Sequence, residues 1–362
     1  MKILYILTGL GMGGAETQVV ALADKMIELG HDVSLLSLYG ESVVTPKSNN
    51  VEVFELNMVK NPFSIIRSYL KAMKIIKSLN VDVVHSHMVH ANFFSRMLRI
   101  STKMNKLICT AHSSNEGGLN RQILYRLTNR ICDVFTNVSE SAVKAFEDNW
   151  IVKKKSMICV YNGIDTDRFQ YLPSLRNKIR LELKIEDSVR IFIAVGSFNE
   201  AKDYPNLLCA FQKILYQTDD IHLIIIGDGP LRCDLEALIS TYGISENITM
   251  LGVRKDVSEL MSAADFFVLS SAWEGFGLVV AEAMSCQLPV IATDSGGVKE
   301  VVGDYGLLCP PKNSEALAEG MMKLIGMPNK LRKNLSLNGR DHIIKNFSLD
   351  EAASKWVGIY LQ

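Results

Sequence analysis

Lys2-Ile3-Leu4-Tyr5-Ile6-Leu7-Thr8-Gly9-Leu10-Gly11-Met12-Gly13-Gly14-Ala15-Glu16 opens the chain with an apolar run and a glycine-rich turn, and apolar positions at Val19, Val20, Leu22, Ala23 and Met26 follow. The unbroken apolar run reads as a strand buried on both faces, and the spacing after it reads as a helix. Strand, Gly turn and helix make one βα unit whose helix N-terminus can cradle an anion. Apolar runs at Val33 to Leu38, Val81 to His85 and Leu107 to Thr110 repeat the unit. That alternation predicts a parallel, doubly wound α/β sheet.

The pattern restarts after Tyr161-Asn162-Gly163-Ile164-Asp165, where a turn-forming Asn-Gly pair precedes a polar segment around Pro173 to Lys178. Strands are then expected at Arg190 to Val195, His222 to Ile226, Ile248 to Met250, Phe266 to Leu269 and Pro289 to Ala292. A length of 362 residues suits two domains rather than one core. The expected architecture is therefore two Rossmann-like domains facing a central cleft, residues 1–161 and 162–345, with ligands at the carboxyl ends of the strands.

The zero net charge hides an asymmetry: residues 1–160 carry 19 Lys/Arg against 13 Asp/Glu, and residues 161–362 carry 20 against 26. A basic first half favours an anionic partner, and membrane phospholipid or a lipid diphosphate fits better than nucleic acid. Seven scattered cysteines without a Cys-x-x-Cys pair fit a reducing cytosol and argue against a zinc site or disulfide framework. The opening apolar run is short and has no small-x-small cleavage site, so it reads as a strand rather than a signal peptide. No run approaches the ~18 apolar residues of a membrane span, so a soluble or peripheral protein is expected.

Several segments pair glycines with charge. In Ser271-Ala272-Trp273-Glu274-Gly275-Phe276-Gly277-Leu278-Val279-Val280-Ala281-Glu282-Ala283-Met284, two carboxylates lie eight residues apart across a Gly-x-Gly turn. A helix starting near Gly277 would offer its first amides to a diphosphate and place Glu282 about one and a half turns further on. Spacing alone leaves open a buried helix with two incidental acids. Val195-Gly196-Ser197-Phe198-Asn199-Glu200-Ala201-Lys202 follows a strand with a lysine placed to counter phosphate charge, or to stand as an ordinary surface lysine. Ile225-Ile226-Gly227-Asp228-Gly229-Pro230 and Thr293-Asp294-Ser295-Gly296-Gly297 are further strand-end glycine turns expected at the same crevice. A dehydrogenase reading is also open at the first turn, because Gly9, Gly11 and Gly14 have Gly-x-Gly-x-x-Gly spacing and Asp32 lies near the required distance. A second nucleotide-like site in the other half weakens it.

These segments together resemble the retaining glycosyltransferases of the GT-B fold, family 4, in order and over nearly the whole chain. The shared features are the Gly-Gly-Ala-Glu loop, the Asn-Gly-Ile-Asp hinge, the Gly-Asp-Gly-Pro strand end and the Glu-x7-Glu motif. The resemblance implies that Glu274 contacts the donor sugar, that Glu282 holds the ribose, and that the amides of Gly275, Phe276, Gly277 and Leu278 bind phosphate together with Lys202 and the Gly14 loop. It implies that Val253 and Arg254 line the nucleobase. His112, in Thr110-Ala111-His112-Ser113-Ser114, would contact the transferred sugar or assist charge development at its anomeric carbon. Residues 346–362, with Trp356 and Tyr360, would form a helix crossing back to the first domain. One departure is Ser197, where the family commonly carries arginine; Arg254 or Lys299 is a candidate replacement charge.

No metal or other cofactor is expected, since a helix terminus and a lysine can take the phosphate charge, and the nucleotide sugar is a substrate. His85, His87 and His90 are read as a strand end and a wall of the acceptor cleft rather than a metal site. Arg67, Lys71 and Lys74 share a helix face beside Ile65, Ile66, Leu70, Met73 and Ile76, the pattern of a helix lying on an anionic membrane or of a solvated helix packed on its sheet. The expected protein is a cytoplasmic enzyme, peripheral on the inner face of the plasma membrane. It would move a hexose or N-acetylhexosamine, with retention, from a UDP-sugar to a lipid-linked or oligosaccharide acceptor in O-antigen, lipopolysaccharide or capsule synthesis. A nucleotide-sugar epimerase of the same fold and a non-catalytic sugar-nucleotide-binding subunit are the alternatives.

Overall fold

The computed structural model describes residues 1–362, which divide into two compact units: residues 1–163 with 349–362 (unit 1), and residues 164–348 (unit 2). Each is a parallel sheet with helices on both faces.

In unit 1 the strands are β1 (Lys2–Gly9), β2 (Asp32–Tyr39), β3 (Glu52–Glu55), β4 (Val83–His87), β5 (Lys106–Ala111), β6 (Val134–Asn137) and β7 (Ile158–Cys159), hydrogen-bonded in the order 3-2-1-4-5-6-7. Successive side chains of β1 explain why its sequence is apolar without interruption. Leu4 and Ile6 enter the core beneath the helices Pro62–Leu79, Val89–Ser101 and Leu119–Thr128, whereas Ile3, Tyr5 and Leu7 enter the opposite one, against Gly14–Glu28 and the final helix. That final helix, Leu349–Leu361, places Trp356, Ile359 and Tyr360 in the second core. It begins after a break at Ser348, the residue following the long helix Asn329–Phe347 of unit 2. The expected 346–362 element is thus two helix pieces that belong to different units.

In unit 2 the strands are β8 (Arg190–Val195), β9 (Ile221–Ile226), β10 (Ile248–Gly252), β11 (Phe266–Leu269), β12 (Val290–Thr293) and β13 (Leu307–Cys309), in the order 10-9-8-11-12-13. Counted within its own unit, this is again 3-2-1-4-5-6. Both sheets therefore reverse direction beside their first strand, between β1 and β4 and between β8 and β11. Ligands of open parallel sheets bind at the carboxyl ends of the strands at such a reversal.

The structure shifts one expected strand and adds four. Strand β4 runs from Val83 to His87, because Ser86 and His87 continue the ladder opposite Ile6 and Leu7 despite being polar. Strands β3, β6, β7 and β13 are two to four residues long, too short to leave a periodicity, and pairing with a neighbour forms them. The amphipathic helix is present as Pro62–Leu79, but only Ser68, Ala72, Ile75 and Ile76 face the sheet. Ile65, Ile66 and Leu70 stay exposed among Arg67, Lys71 and Lys74.

Candidate functional site

At the reversal point of unit 2, the loops leaving β8 and β11 are tied together. The Ala272 amide donates to the Ala201 carbonyl at 2.8 Å, and Ser270 Oγ donates to the Lys202 carbonyl at 2.8 Å. This places the Lys202 ammonium on Glu274 Oε1, which also accepts from Ser271 Oγ at 2.8 Å. The two charged side chains are only 19% and 13% exposed, so the pair is far better sheltered from screening than a surface ion pair.

Two glycines make the geometry. Gly277, at φ +92°, turns the chain into the helix Leu278–Ser285, whose first amides cannot find acceptors within the helix. Gly296, at φ +61°, brings the loop after β12 so close that a Cβ there would lie 2.0 Å from the Glu274 carbonyl oxygen. Glu282 sits five residues past Gly277 on the helix and keeps part of its surface accessible. Burial pushes its carboxyl up to about 7, against the pull of the Arg168 and Lys202 charges. The edge therefore offers an ammonium, a helix N-terminus, one fixed carboxylate and one carboxyl near its titration point. Such a set can hold a diphosphate and hydrogen-bond hydroxyls.

Lys202, Glu274, Gly275, Phe276, Gly277, Leu278 and Glu282 thus come together on one edge. Val253 and Arg254 follow β10, two strands away from β8. Val253 is exposed, and the Arg254 fork is closed on Asp256, with Nε 2.8 Å from Oδ1 and Nη2 2.5 Å from Oδ2. Arg254 is therefore paired within its own loop, with both side chains partly exposed. Ser197 is exposed and accepts from Asn199 Nδ2 at 2.8 Å.

Gly14 and His112 lie in unit 1. Gly14 is exposed at the start of the helix Gly14–Glu28, with Gly13 as its cap. His112 follows β5, with its Nε2 3.0 Å from His87 Nδ1 and its amide donating to Glu116 Oε1 at 2.9 Å. Burial alone lowers its pKa to about 4, so the ring is neutral at physiological pH. His87 is buried too, and its Nε2 has no partner. His85 corrects the reading of the histidines as a cleft wall. It is fully buried, with Nδ1 2.8 Å from Tyr360 Oη, Nε2 2.7 Å from Thr110 Oγ1, and the Trp356 ring tilted against it with centroids 4.4 Å apart. It is a satisfied core histidine that locks the final helix to the sheet. His90 lies on the surface, edge-on to Tyr39.

Sequence reasoning missed Arg168, Ser271 and Glu116. Ser271 lay inside the quoted stretch and needed only the three-residue reach to Glu274. Glu116 follows His112 by four residues, a return distance typical of loop carboxylates on backbone amides. Arg168 sits in the segment after the hinge, where no periodicity points towards Glu282.

The comparisons with known proteins cover both units. The model "Glycosyltransferase Family 4" matches residues 12–168, and the model "Glycosyl transferases group 1" matches residues 176–342. The N-acetyl-alpha-D-glucosaminyl L-malate synthase of Bacillus anthracis is 27% identical over 96% of this chain and 94% of its own. A Campylobacter jejuni enzyme is 25% identical over 92% of each chain; it is the N-acetylgalactosamine-N,N'-diacetylbacillosaminyl-diphospho-undecaprenol 4-alpha-N-acetylgalactosaminyltransferase. Among solved structures, Anabaena HepE in complex with UDP and glucose superposes with a TM-score of 0.85, at 21% identity over 99% of both chains. A glycosyltransferase from Rickettsia africae gives the same score at 22% identity, over 99% of this chain and 97% of its own. These two structures speak for the fold, which is GT-B.

Proposed function

Since the chain belongs to the group 1, family 4 glycosyltransferases, we propose that it moves a hexose or N-acetylhexosamine from a UDP-sugar to a polyprenyl-diphosphate-linked glycan, with retention of anomeric configuration. The observation that carries this reading is the sheltered Lys202–Glu274 pair beside the Gly277 helix terminus. Breaking the bond to a nucleoside diphosphate builds negative charge on the leaving phosphate. Lys202 and the first amides of the helix are fixed donors for it, and fixed donors avoid the reorganisation that water would require. When phosphate draws the ammonium, Glu274 is freed to meet the sugar hydroxyls, and Glu282 meets the ribose. A protein-supplied ammonium and helix terminus leave no need for a metal ion at the diphosphate.

The acceptor class rests on charge and on a relative. Residues 60–106 hold nine basic side chains against Asp82 alone, and the Campylobacter relative's name specifies a diphospho-undecaprenol acceptor. No helix is long and apolar enough to cross a membrane. The proposed enzyme therefore meets its lipid-linked acceptor from the surface, through the basic helix Pro62–Leu79, in bacterial surface-polysaccharide assembly. A soluble acceptor is the second reading, favoured by the Bacillus relative, whose name specifies L-malate.

Incubation with a panel of UDP-, GDP- and ADP-sugars and either polyprenyl-diphosphate-linked or free acceptors, followed by mass spectrometry, tests the proposal. A glycosylated lipid formed from a UDP-sugar supports it, and an α-linkage by NMR from an α-configured donor supports retention. Transfer only to a free acceptor favours the second reading. Interconversion of the nucleotide sugar without acceptor, or binding without turnover on every acceptor, sinks both.

A further inference from the structure

Three helices of unit 1 cover the same face of its sheet: Pro62–Leu79, Val89–Ser101 and Leu119–Thr128. The middle one is bonded to both neighbours. Tyr69 Oη donates to the Met97 carbonyl at 3.0 Å, and Arg96 Nη1 donates to Thr128 Oγ1 at 2.7 Å. Their outer surfaces therefore point away from one sheet face together.

The third helix has an unusual division of faces. Tyr125 is its single buried residue, packed at ring distances of 4.5 Å from Phe93 and 5.3 Å from Phe135. On the opposite face Leu119, Ile123 and Leu127 recur every four residues and are 69%, 47% and 74% exposed. Three large apolar side chains in one helical row stand in water, with the exposed guanidiniums of Arg126 and Arg130 nearby in sequence. The helix Pro62–Leu79 repeats this composition, with Phe63, Ile66 and Leu70 exposed beside Arg67, Lys71 and Lys74, which line a shallow groove with them. From residue 56 to residue 132 there are twelve Lys/Arg against two acids, Asp82 and Glu116. Glu116 is turned inward: it accepts from Tyr125 Oη and the His112 amide.

We propose that the helix Leu119–Thr128 is a second lipid-docking element, lying with the helix Pro62–Leu79 on an anionic phospholipid surface. Apolar side chains in a helical row enter the acyl boundary, and the arginines beside them meet phosphate headgroups. A protein partner would have to be strongly acidic and apolar at once, whereas an anionic bilayer offers both over an unlimited area. The inference rests on the peripheral reading of the protein, and it names a surface that the charge run of residues 60–106 does not include.

The test is co-sedimentation of the full chain with vesicles of phosphatidylglycerol and phosphatidylethanolamine, and with phosphatidylcholine vesicles as the uncharged control. Leu119→Ser, Ile123→Ser and Leu127→Ser combined should lower the partition coefficient on the anionic vesicles about tenfold, as expected for withdrawing three partly inserted side chains. Arg67→Gln, Lys71→Gln and Lys74→Gln combined should lower it independently. Circular dichroism and the Tm of each variant should match the parent, because all six positions are exposed. If the glutamine variant loses binding and the serine variant does not, the helix Leu119–Thr128 is no docking element while the peripheral reading stands. If the parent fails to sediment with anionic vesicles, both fall. If the serine substitutions instead abolish a dimer seen by light scattering and leave vesicle binding intact, the row is a contact between copies and the proposal is overturned.

Discussion

The two reversal points share a topology and differ in electrical character. Beside β1 and β4, unit 1 places imidazoles that burial keeps neutral: His85 and His87 are held well below their usual range, and His112 titrates at about 4. Beside β8 and β11, unit 2 places an ammonium, a carboxylate paired with it and a carboxyl raised to about 7. The same strand order thus builds a neutral, hydrogen-bonding edge in one unit and a charged, anion-ready edge in the other. What distinguishes them is the residue type at three or four strand-end positions, so function follows the strand ends rather than the sheet.

The sharpest way to break this contrast is to remove the ammonium. Lys202→Ala should lower kcat/KM by about 10² to 10³, the usual cost of losing one preorganised donor to a developing anion. Activity within about threefold of the parent would mean that the charge at the unit 2 edge is incidental.

Next in size is the pH response, which should have opposite signs in the two units. An unfolded glutamate releases its proton near 4.5 and native Glu282 near 7, so between those values the native state holds the extra proton. Acidification from 7 towards 4.5 therefore stabilises unit 2, by about 2 kcal/mol once residual solvent screening is allowed for. His112 runs the other way, because its unfolded ring takes up a proton near 6.5 and its native ring near 4. Acidification across that window withdraws the contribution of His112 from unit 1; buried His85 and His87 act in the same direction, and Glu16 and Glu116, whose carboxyls burial raises, oppose them. Hydrogen-exchange protection factors at pH 7 and pH 5 should rise in unit 2 and fall in unit 1, and Glu282→Gln should flatten the first trend. A common direction in both units would contradict the assignment.

A smaller effect separates the two glutamates. Glu282→Ala should weaken nucleotide binding by about tenfold, the loss of hydrogen bonds to one charged group, whereas Glu274→Ala should mainly lower turnover. Calorimetry with the free nucleotide, set beside steady-state kinetics, would expose equal effects and so undo the division of roles. At the bottom of the scale, excess chelator should leave donor affinity unchanged. A loss of affinity would place a metal where Lys202 and the helix terminus are proposed to act.

Much of this is legible in the amino-acid sequence. Strands buried on both faces write themselves as apolar runs, which is why β1, β2, β5, β8 and β11 were readable almost to the residue. Strands β7 and β13 were not, since two or three residues at a sheet edge carry no period and exist only because a neighbour offers a ladder. The same limit applies at the site. The Gly277 turn and Glu282 were readable because helix geometry fixes their spacing. The union of Lys202 with Glu274, 72 residues apart, depends on two loops meeting at a reversal point. A strand-end histidine also looks the same in sequence whether both ring nitrogens find partners, one of them Tyr360 more than 270 residues away, as at His85, or one nitrogen is left without a partner, as at His87 Nε2.

The join between the units has a consequence for how such a chain can be rebuilt. The Ile164 amide donates to the Phe347 carbonyl at 2.8 Å, so unit 2 begins and ends at one spot. Residues 163 and 349 are equally close across unit 1, where a Cβ on Gly163 would lie 2.7 Å from Leu349 Cα. In genetic terms, unit 2 is a cassette inserted into a host that closes on itself without it. Residues 164–348 thus leave unit 1 and return to it at two adjacent points of its chain.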